Sequence, residues 1–287
     1  MKVVILLIIL MIVVFLEMKR ELNNFRVVTY EVLVPELTRE KKAVFLSDMH
    51  NHVYGDHNER LLEAVRNVNP DMILVGGDML IGKDKVDYQP ALDFAKQLPE
   101  VAPVYYANGN HEQRMKEIPE NYTASYEAYK EELVRSGIKI LENESEIIEC
   151  EGKNLKITGL EIPLRCYTHF HKEKMHVNEV VERIGEKDAD AYEILLAHNP
   201  SYMKQYLQRG ADLILSGHLH GGIVRIPGIA GAISPSFEIL PKYSGDMYCE
   251  DGTDIIVSKG LGTHTINIRF LNPAELVVIR FKGESLV

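Results

Sequence analysis

Leu213-Ile214-Leu215-Ser216-Gly217-His218-Leu219-His220-Gly221-Gly222 decides the reading of this chain. An apolar run of strand type closes on small residues. Two histidines one residue apart follow at once, bracketed by Gly217, Gly221 and Gly222. In an extended segment alternate side chains point the same way, so His218 and His220 are expected to reach one site from the end of one strand. Glycine permits close approach of other groups to the backbone. Histidine is the commonest metal ligand near neutral pH, but a lone His-x-His is equally a polar strand end. Its meaning depends on what the rest of the chain places beside it.

Working outward, residues 43–46, 72–75, 104–107 and 194–197 are further short apolar runs that read as buried strands. Each is followed by residues of ligand type: Ser47-Asp48-Met49-His50-Asn51, Gly76-Gly77-Asp78, Asn108-Gly109-Asn110-His111-Glu112 and His198-Asn199-Pro200. Amphipathic or capped helical segments at 58–68, 91–98, 125–135, 177–184 and 201–208 lie between and around them. Strands are expected also at 27–34, 138–141, 147–150 and 155–160, and residues 247–281 are β-rich. Strand–helix alternation followed by strands argues for an α/β layered fold. In open α/β sheets, ligands bind outside the carboxyl ends of the strands. Alone, Asp48 and Asp78 read as turn residues and His198 as a helix cap. Scatter would not collect all of them at one edge.

Asp48, His50, Asp78, Asn110, His198, His218 and His220 are too many ligands for one ion and suit two. A pair of divalent ions clamps both the attacking and the leaving oxygen of a displacement at phosphorus and lowers the pKa of bound water. One carboxylate must be shared, and Asp78, flanked by Gly77, is the best placed. The nitrogen-rich ligand mix favours Mn, Fe or Zn over Mg. Two such ions bring more positive charge than Asp48 and Asp78 remove, so a phosphate is attracted even to an acidic chain. His111, next to Asn110, is the candidate catalytic residue, supplying a proton or positive charge to the leaving oxygen.

Asp48-Met49-His50, Gly77-Asp78, Gly109-Asn110-His111-Glu112, His198 and Gly217-His218-Leu219-His220 resemble, in order, the motif set of the calcineurin-like metallophosphoesterases. The resemblance implies a four-layer α/β/β/α sandwich with a dinuclear site at one edge. It implies that Asp48, His50 and His220 hold the first metal and Asn110, His198 and His218 the second, with Asp78 shared. The position after the third-motif histidine, usually aspartate and orienting that histidine in many members, is Glu112 here. The segments 221–228, 242–248 and 257–263 resemble the membrane-anchored bacterial branch that is similar to UDP-2,3-diacylglucosamine pyrophosphatases.

The net charge of −10 argues against a general nucleic-acid binder. Cys150, Cys166 and Cys249 form neither a zinc pattern nor a disulfide framework. Residues 3–16 are an unbroken apolar run, shorter than the roughly 20 residues of a full transmembrane helix. With Lys19 and Arg20 after it and no small-residue cleavage site, it reads as an uncleaved signal anchor, ahead of a cleaved signal and of a buried core helix. The expected organisation is an anchor at 1–22, a connector with one strand at 23–42 and a phosphoesterase domain at 43–287. The expected location is the cell membrane. Lys2 faces Lys19 and Arg20 across the run, so charge specifies the orientation weakly, and the family resemblance implies a catalytic domain outside the cytoplasm. The expected substrate is a phosphodiester or pyrophosphate, lipid-linked or a sugar nucleotide. A phosphoprotein phosphatase and a non-catalytic metal-bound membrane scaffold remain as alternatives. Arg114 and His52 are weaker substrate-binding candidates, as is His264. The insertion 162–187, with His169, Phe170 and His171, is read as either a cap over the cleft or a surface loop.

Overall fold

The computed structural model describes residues 1–168, 173–222, 225–226, 230–231, 241–263 and 267–284. In chain order, helix α1 (Lys2–Leu22) leads into strands β1 (Phe25–Leu33) and β2 (Lys41–Leu46). Helix α2 (Glu59–Val68), strand β3 (Met72–Val75), helix α3 (Gln89–Ala95) and strand β4 (Val104–Tyr106) follow. Next come helices α4 (Asn110–Glu117) and α5 (Tyr126–Arg135), then strands β5 (Lys139–Ile140), β6 (Ser145–Ile148) and β7 (Leu155–Leu160). Helix α6 (Val177–Ile184), strand β8 (Tyr192–Ala197), helix α7 (Met203–Arg209) and strand β9 (Leu213–Ser216) complete the alternating part. The remainder is β10 (Arg225–Ile226), β11 (Ala230–Gly231), β12 (Asp246–Glu250), β13 (Thr253–Val257) and β14 (Ala274–Lys282).

The strands build two six-stranded sheets, ordered β1-β14-β2-β3-β4-β5 and β12-β13-β9-β8-β7-β6. The runs β2-β3-β4-β5 and β13-β9-β8-β7 are parallel, as βαβ connections require. Residues 23–42, read as a connector, supply β1, which pairs in parallel with β14 along its whole length.

The apolar strands are buried on both faces, and their alternation distributes them between layers. Val44, Leu46, Ile73 and Val75 pack with Leu61, Val65, Phe94, Tyr129 and Leu133 of the flanking helices. Their neighbours Ala43, Phe45, Met72 and Leu74 face the other way and meet Leu196, Leu213 and Leu215 of the second sheet. Ile214, one residue from each of the last two, turns instead to Val180, Met203 and Tyr206 of α6 and α7. Three apolar cores thus separate helix, sheet, sheet and helix, the sandwich expected.

The first helix is different. Its apolar residues from Val3 to Leu16 are mostly exposed, and Glu21 near its end is its buried residue. No helix among the described residues is long and apolar enough to cross a membrane, so the spanning segment expected of an anchor is not found.

Candidate metal centre

The parallel strands of both sheets end at one edge, and six of the seven expected ligands converge there, with Asn110 opening the helix that follows β4. Asp48 and His50 follow β2, Asp78 follows β3, Asn110 opens α4 after β4, His198 follows β8, and His218 and His220 follow β9. Three groups of ligand atoms lie close enough to share an ion: Asp48, His50 and His220; His50, Asp78 and His111; and Asp78, His198 and His218.

The extended geometry expected of His218-Leu219-His220 is not the one adopted. β9 stops at Ser216, and His218 and His220 have φ of 67° and 51°. Asp48, His50 and Asp78 share this left-handed conformation, with φ of 53°, 47° and 53°. It is uncommon for residues with a side chain and costs free energy wherever the surroundings impose it. Tight turns, not strand alternation, aim these side chains inward. Neighbouring backbone then packs very closely: a Cβ on Gly217 would lie 2.1 Å from both Asp48 Oδ2 and Ser47 Oγ.

Backbone carbonyls fix the imidazole tautomers. His198 Nδ1 lies 2.7 Å from the Gly76 carbonyl oxygen, and His220 Nδ1 lies 3.1 Å from that of Gly262. A carbonyl only accepts, so each Nδ1 carries the hydrogen and the neutral ring turns the Nε2 lone pair into the site. His220 Nε2 is 3.3 Å from Asp48 Oδ1 and 3.1 Å from His50 Nε2. His198 Nε2 is 3.1 Å from Asp78 Oδ2. That pair is within ion-pair distance, yet neither atom has a hydrogen-bond partner. Asn110 is also buried with neither amide atom hydrogen-bonded. Such orphaned atoms in native interiors call for an explanation. A divalent cation between them supplies it, and the donor set of nitrogens and carboxylate oxygens fits two divalent ions.

The electrostatics agree. Burial raises the Asp48 carboxyl to about 6, with His198 opposing and the Asp78 charge adding to the rise. Burial also acts to raise Asp78, but His198, His111 and His50 outweigh it and hold this carboxyl well below its ordinary value. Burial lowers His198, and Asp78 and Asp48 overcome this to push it up to about 10. Two buried carboxylates thus demand positive charge at this point, which bound cations would supply in place of an imidazolium.

His111 stands beside the ligands with Nε2 3.9 Å from Asp78 Oδ2. Its backbone N–H donates to Asp78 Oδ1 at 2.8 Å. Its Nδ1 accepts from the Gly82 N–H at 2.8 Å, so the hydrogen of the neutral ring sits on Nε2, facing the site. Glu112, the residue at the family's orienting position, spends its oxygens elsewhere. Oε2 accepts from the Asp78 and Gly109 N–H groups at 2.9 and 3.1 Å. Oε1 accepts from the Met79 N–H and the Tyr106 hydroxyl at 2.9 and 2.8 Å. Glu112 therefore clamps the Asp78 turn to the start of α4. Burial and then the Asp78 charge push its carboxyl up to about 7, against these donors.

Among the weaker candidates, His52 belongs to none of these ligand groups. His52 packs edge-on against Tyr54, and burial, with Arg269 adding to it, lowers its pKa. Arg114 lies on α4, half-buried, without an ion pair among the described residues. His169, Phe170, His171 and His264 lie outside the described residues. The described part of the 162–187 insertion brings Tyr167 to the site, its ring 5.4 Å from that of His218. Sequence reasoning missed Tyr167 and the carbonyls of Gly76 and Gly262, since nothing in their local pattern marks them.

A model of the family described as calcineurin-like phosphoesterase matches residues 41–222. An uncharacterized metallophosphoesterase of Helicobacter pylori is 29% identical, the match covering 87% of this chain and 62% of the relative. Another, from Aquifex aeolicus, is 27% identical over 91% of this chain and 93% of the relative. A zebrafish (Danio rerio) protein named a transmembrane protein with metallophosphoesterase domain is 27% identical over 90% of this chain and 57% of its own length. The chain thus spans less than two thirds of the Helicobacter and Danio relatives.

Proposed function

The chain belongs to the calcineurin-like phosphoesterases, and from that premise we propose that it hydrolyses a phosphodiester or pyrophosphate bond with two divalent ions. The convergence of Asp48, His50, Asp78, His198, His218 and His220, with orphaned buried atoms on Asp78, His198 and Asn110, carries this reading. Asp48, His50 and His220 would hold one ion, Asn110, His198 and His218 the other, and Asp78 both. When bound, the ions supply a water of lowered pKa and neutralise charge on the phosphoryl oxygens. Gly76 and Gly262 keep the His198 and His220 lone pairs turned inward. His111 presents its Nε2 hydrogen to the leaving oxygen, held in that tautomer by the Gly82 N–H. Arg114 is proposed as a phosphate contact at the rim, and His52 as a residue lining the approach.

For the substrate we propose a lipid-linked or sugar-nucleotide molecule resembling UDP-2,3-diacylglucosamine. The exposed apolar run of α1 supports attachment to a membrane surface, and we place the catalytic domain outside the cytoplasm as part of this proposal. The Danio relative is named a transmembrane protein.

The test is a substrate panel on the full chain loaded with Mn²⁺, with ion content measured on the same sample. Turnover of bis-p-nitrophenyl phosphate and of an acylated UDP-sugar, abolished by Asp78→Asn, is the expected result. Two bound ions with no turnover of any diester or pyrophosphate would refute the reading, and turnover of a phosphopeptide alone would make the chain a protein phosphatase.

A further inference from the structure

The segment from Arg269 to Asn272 lies against the loop that carries His220, and it is fastened from its other side by α1. Asn272 is buried, and its Nδ2 donates to the carbonyl oxygens of His220 at 2.7 Å and Gly222 at 2.5 Å. Its backbone N–H donates to Glu21 Oε2 at 3.0 Å. Glu21, only 3% exposed, is the buried residue of an otherwise largely exposed helix. The Asn272 carbonyl accepts from Arg269 Nη1 at 3.2 Å. The same guanidinium donates through Nη2 to the carbonyls of Lys259, Gly260 and Gly262 at 2.7, 3.1 and 2.6 Å. The Gly262 carbonyl in turn accepts from His220 Nδ1. His220 is therefore gripped twice, its backbone by the Asn272 amide and its ring through the carbonyl that Arg269 anchors.

The direction of the Asn272 amide follows from its partners. Two carbonyl oxygens face its Nδ2, and an oxygen in that place would oppose both. Oδ1 has no hydrogen bond, and a Cβ at Gly221 would lie 2.3 Å from it, so the loop closes tightly over this side chain. The Asn272 backbone is held from α1 by one carboxylate, whose removal would leave a buried N–H without an acceptor.

We propose that Asn272 is a positioning residue for the ion held by Asp48, His50 and His220. Glu21 sets Asn272 in place, so the seating of α1 is coupled to the occupancy of that ion. The inference rests on the ligand allocation proposed above. The N-terminal helix then belongs to the scaffold of the metal centre, and whatever its exposed apolar run contacts bears on the centre through Glu21.

The experiment uses the full chain, stripped of ions and titrated with Mn²⁺, with melting temperature followed in parallel. Wild type takes up two ions. Glu21→Gln keeps an oxygen acceptor toward the Asn272 N–H and retains wild-type uptake. Glu21→Ala and Asn272→Asp bind one ion as wild type does and the other about 10- to 100-fold more weakly, the usual consequence of losing a partner that orients a ligand. A role in stability alone would lower the melting temperature and leave both Mn²⁺ affinities unchanged, and that result overturns the inference. Should Asn272→Asp fail to fold, Glu21→Ala decides. A wild-type chain that takes up fewer than two Mn²⁺ ions would overturn the two-metal reading itself, and this inference with it.

Discussion

Replacing Glu112 by glutamine keeps the outline of the side chain and removes half of its accepting capacity. Each carboxylate oxygen now receives two donors, from Asp78 and Gly109 on one side and from Met79 and Tyr106 on the other. The amide nitrogen of glutamine must face one of these pairs. Facing Asp78 and Gly109 it strands two buried N–H groups. Facing Met79 and Tyr106 it strands one, because the Tyr106 hydroxyl has the Tyr129 hydroxyl 3.2 Å away as a second partner. A buried donor left unmade costs about 1–3 kcal/mol. The variant, with one N–H stranded in its better orientation, is therefore expected to lose about 1–3 kcal/mol of stability. In a chain of this size that lowers the melting temperature by about 2–5 °C. Because the clamp holds the turn of the shared ligand Asp78, Mn²⁺ binding weakens at both sites. Differential scanning calorimetry of the stripped protein and a Mn²⁺ titration measure the two effects. A variant that melts with wild type and binds Mn²⁺ equally well refutes the clamp. A variant impaired only in kcat at full Mn²⁺ loading returns Glu112 to the role of orienting His111.

Two further outcomes are expected. His218→Ala and His220→Ala should each bind one ion fewer and lose most activity, with anomalous scattering showing different sites emptied; if both keep two ions and normal turnover, the allocation fails. Glu142 is half-buried, which acts to raise its pKa, but hydrogen bonds from Lys130 and Tyr126 and the charge of Lys116 lower it to about 2. A depressed folded-state value means that its contribution to stability is present above the unfolded value of 4.5 and is lost as pH falls from there toward about 2. The melting-temperature deficit of Glu142→Gln should accordingly be clear at pH 6 and shrink steadily below pH 4.5, and a deficit independent of pH would contradict the assignment.

Apolar runs such as Met72-Ile73-Leu74-Val75 and Leu213-Ile214-Leu215 announce buried strands by themselves, and the ligand types written after them announce a cation site at the strand ends. That much is local: hydrophobic period and residue chemistry act over a few residues and survive without knowledge of the fold. Which face of each strand meets helix and which meets the second sheet required the sheets to be stacked, because both faces are apolar. The direction of Glu112 away from His111 followed from where the β3 turn came to rest, placing the Asp78 and Met79 N–H groups within its reach. The left-handed turns at His218 and His220 replaced the strand alternation that their spacing suggested, since a bare i, i+2 pattern does not distinguish a strand from two consecutive tight turns. Glu21 lies 251 positions from Asn272, and no sequence period links them. The composition of the metal centre was therefore written in the chain. The tautomers, the clamp and the tie to α1 depend on backbone carbonyls and N–H groups, which every residue carries alike and which only the tertiary structure brings into place.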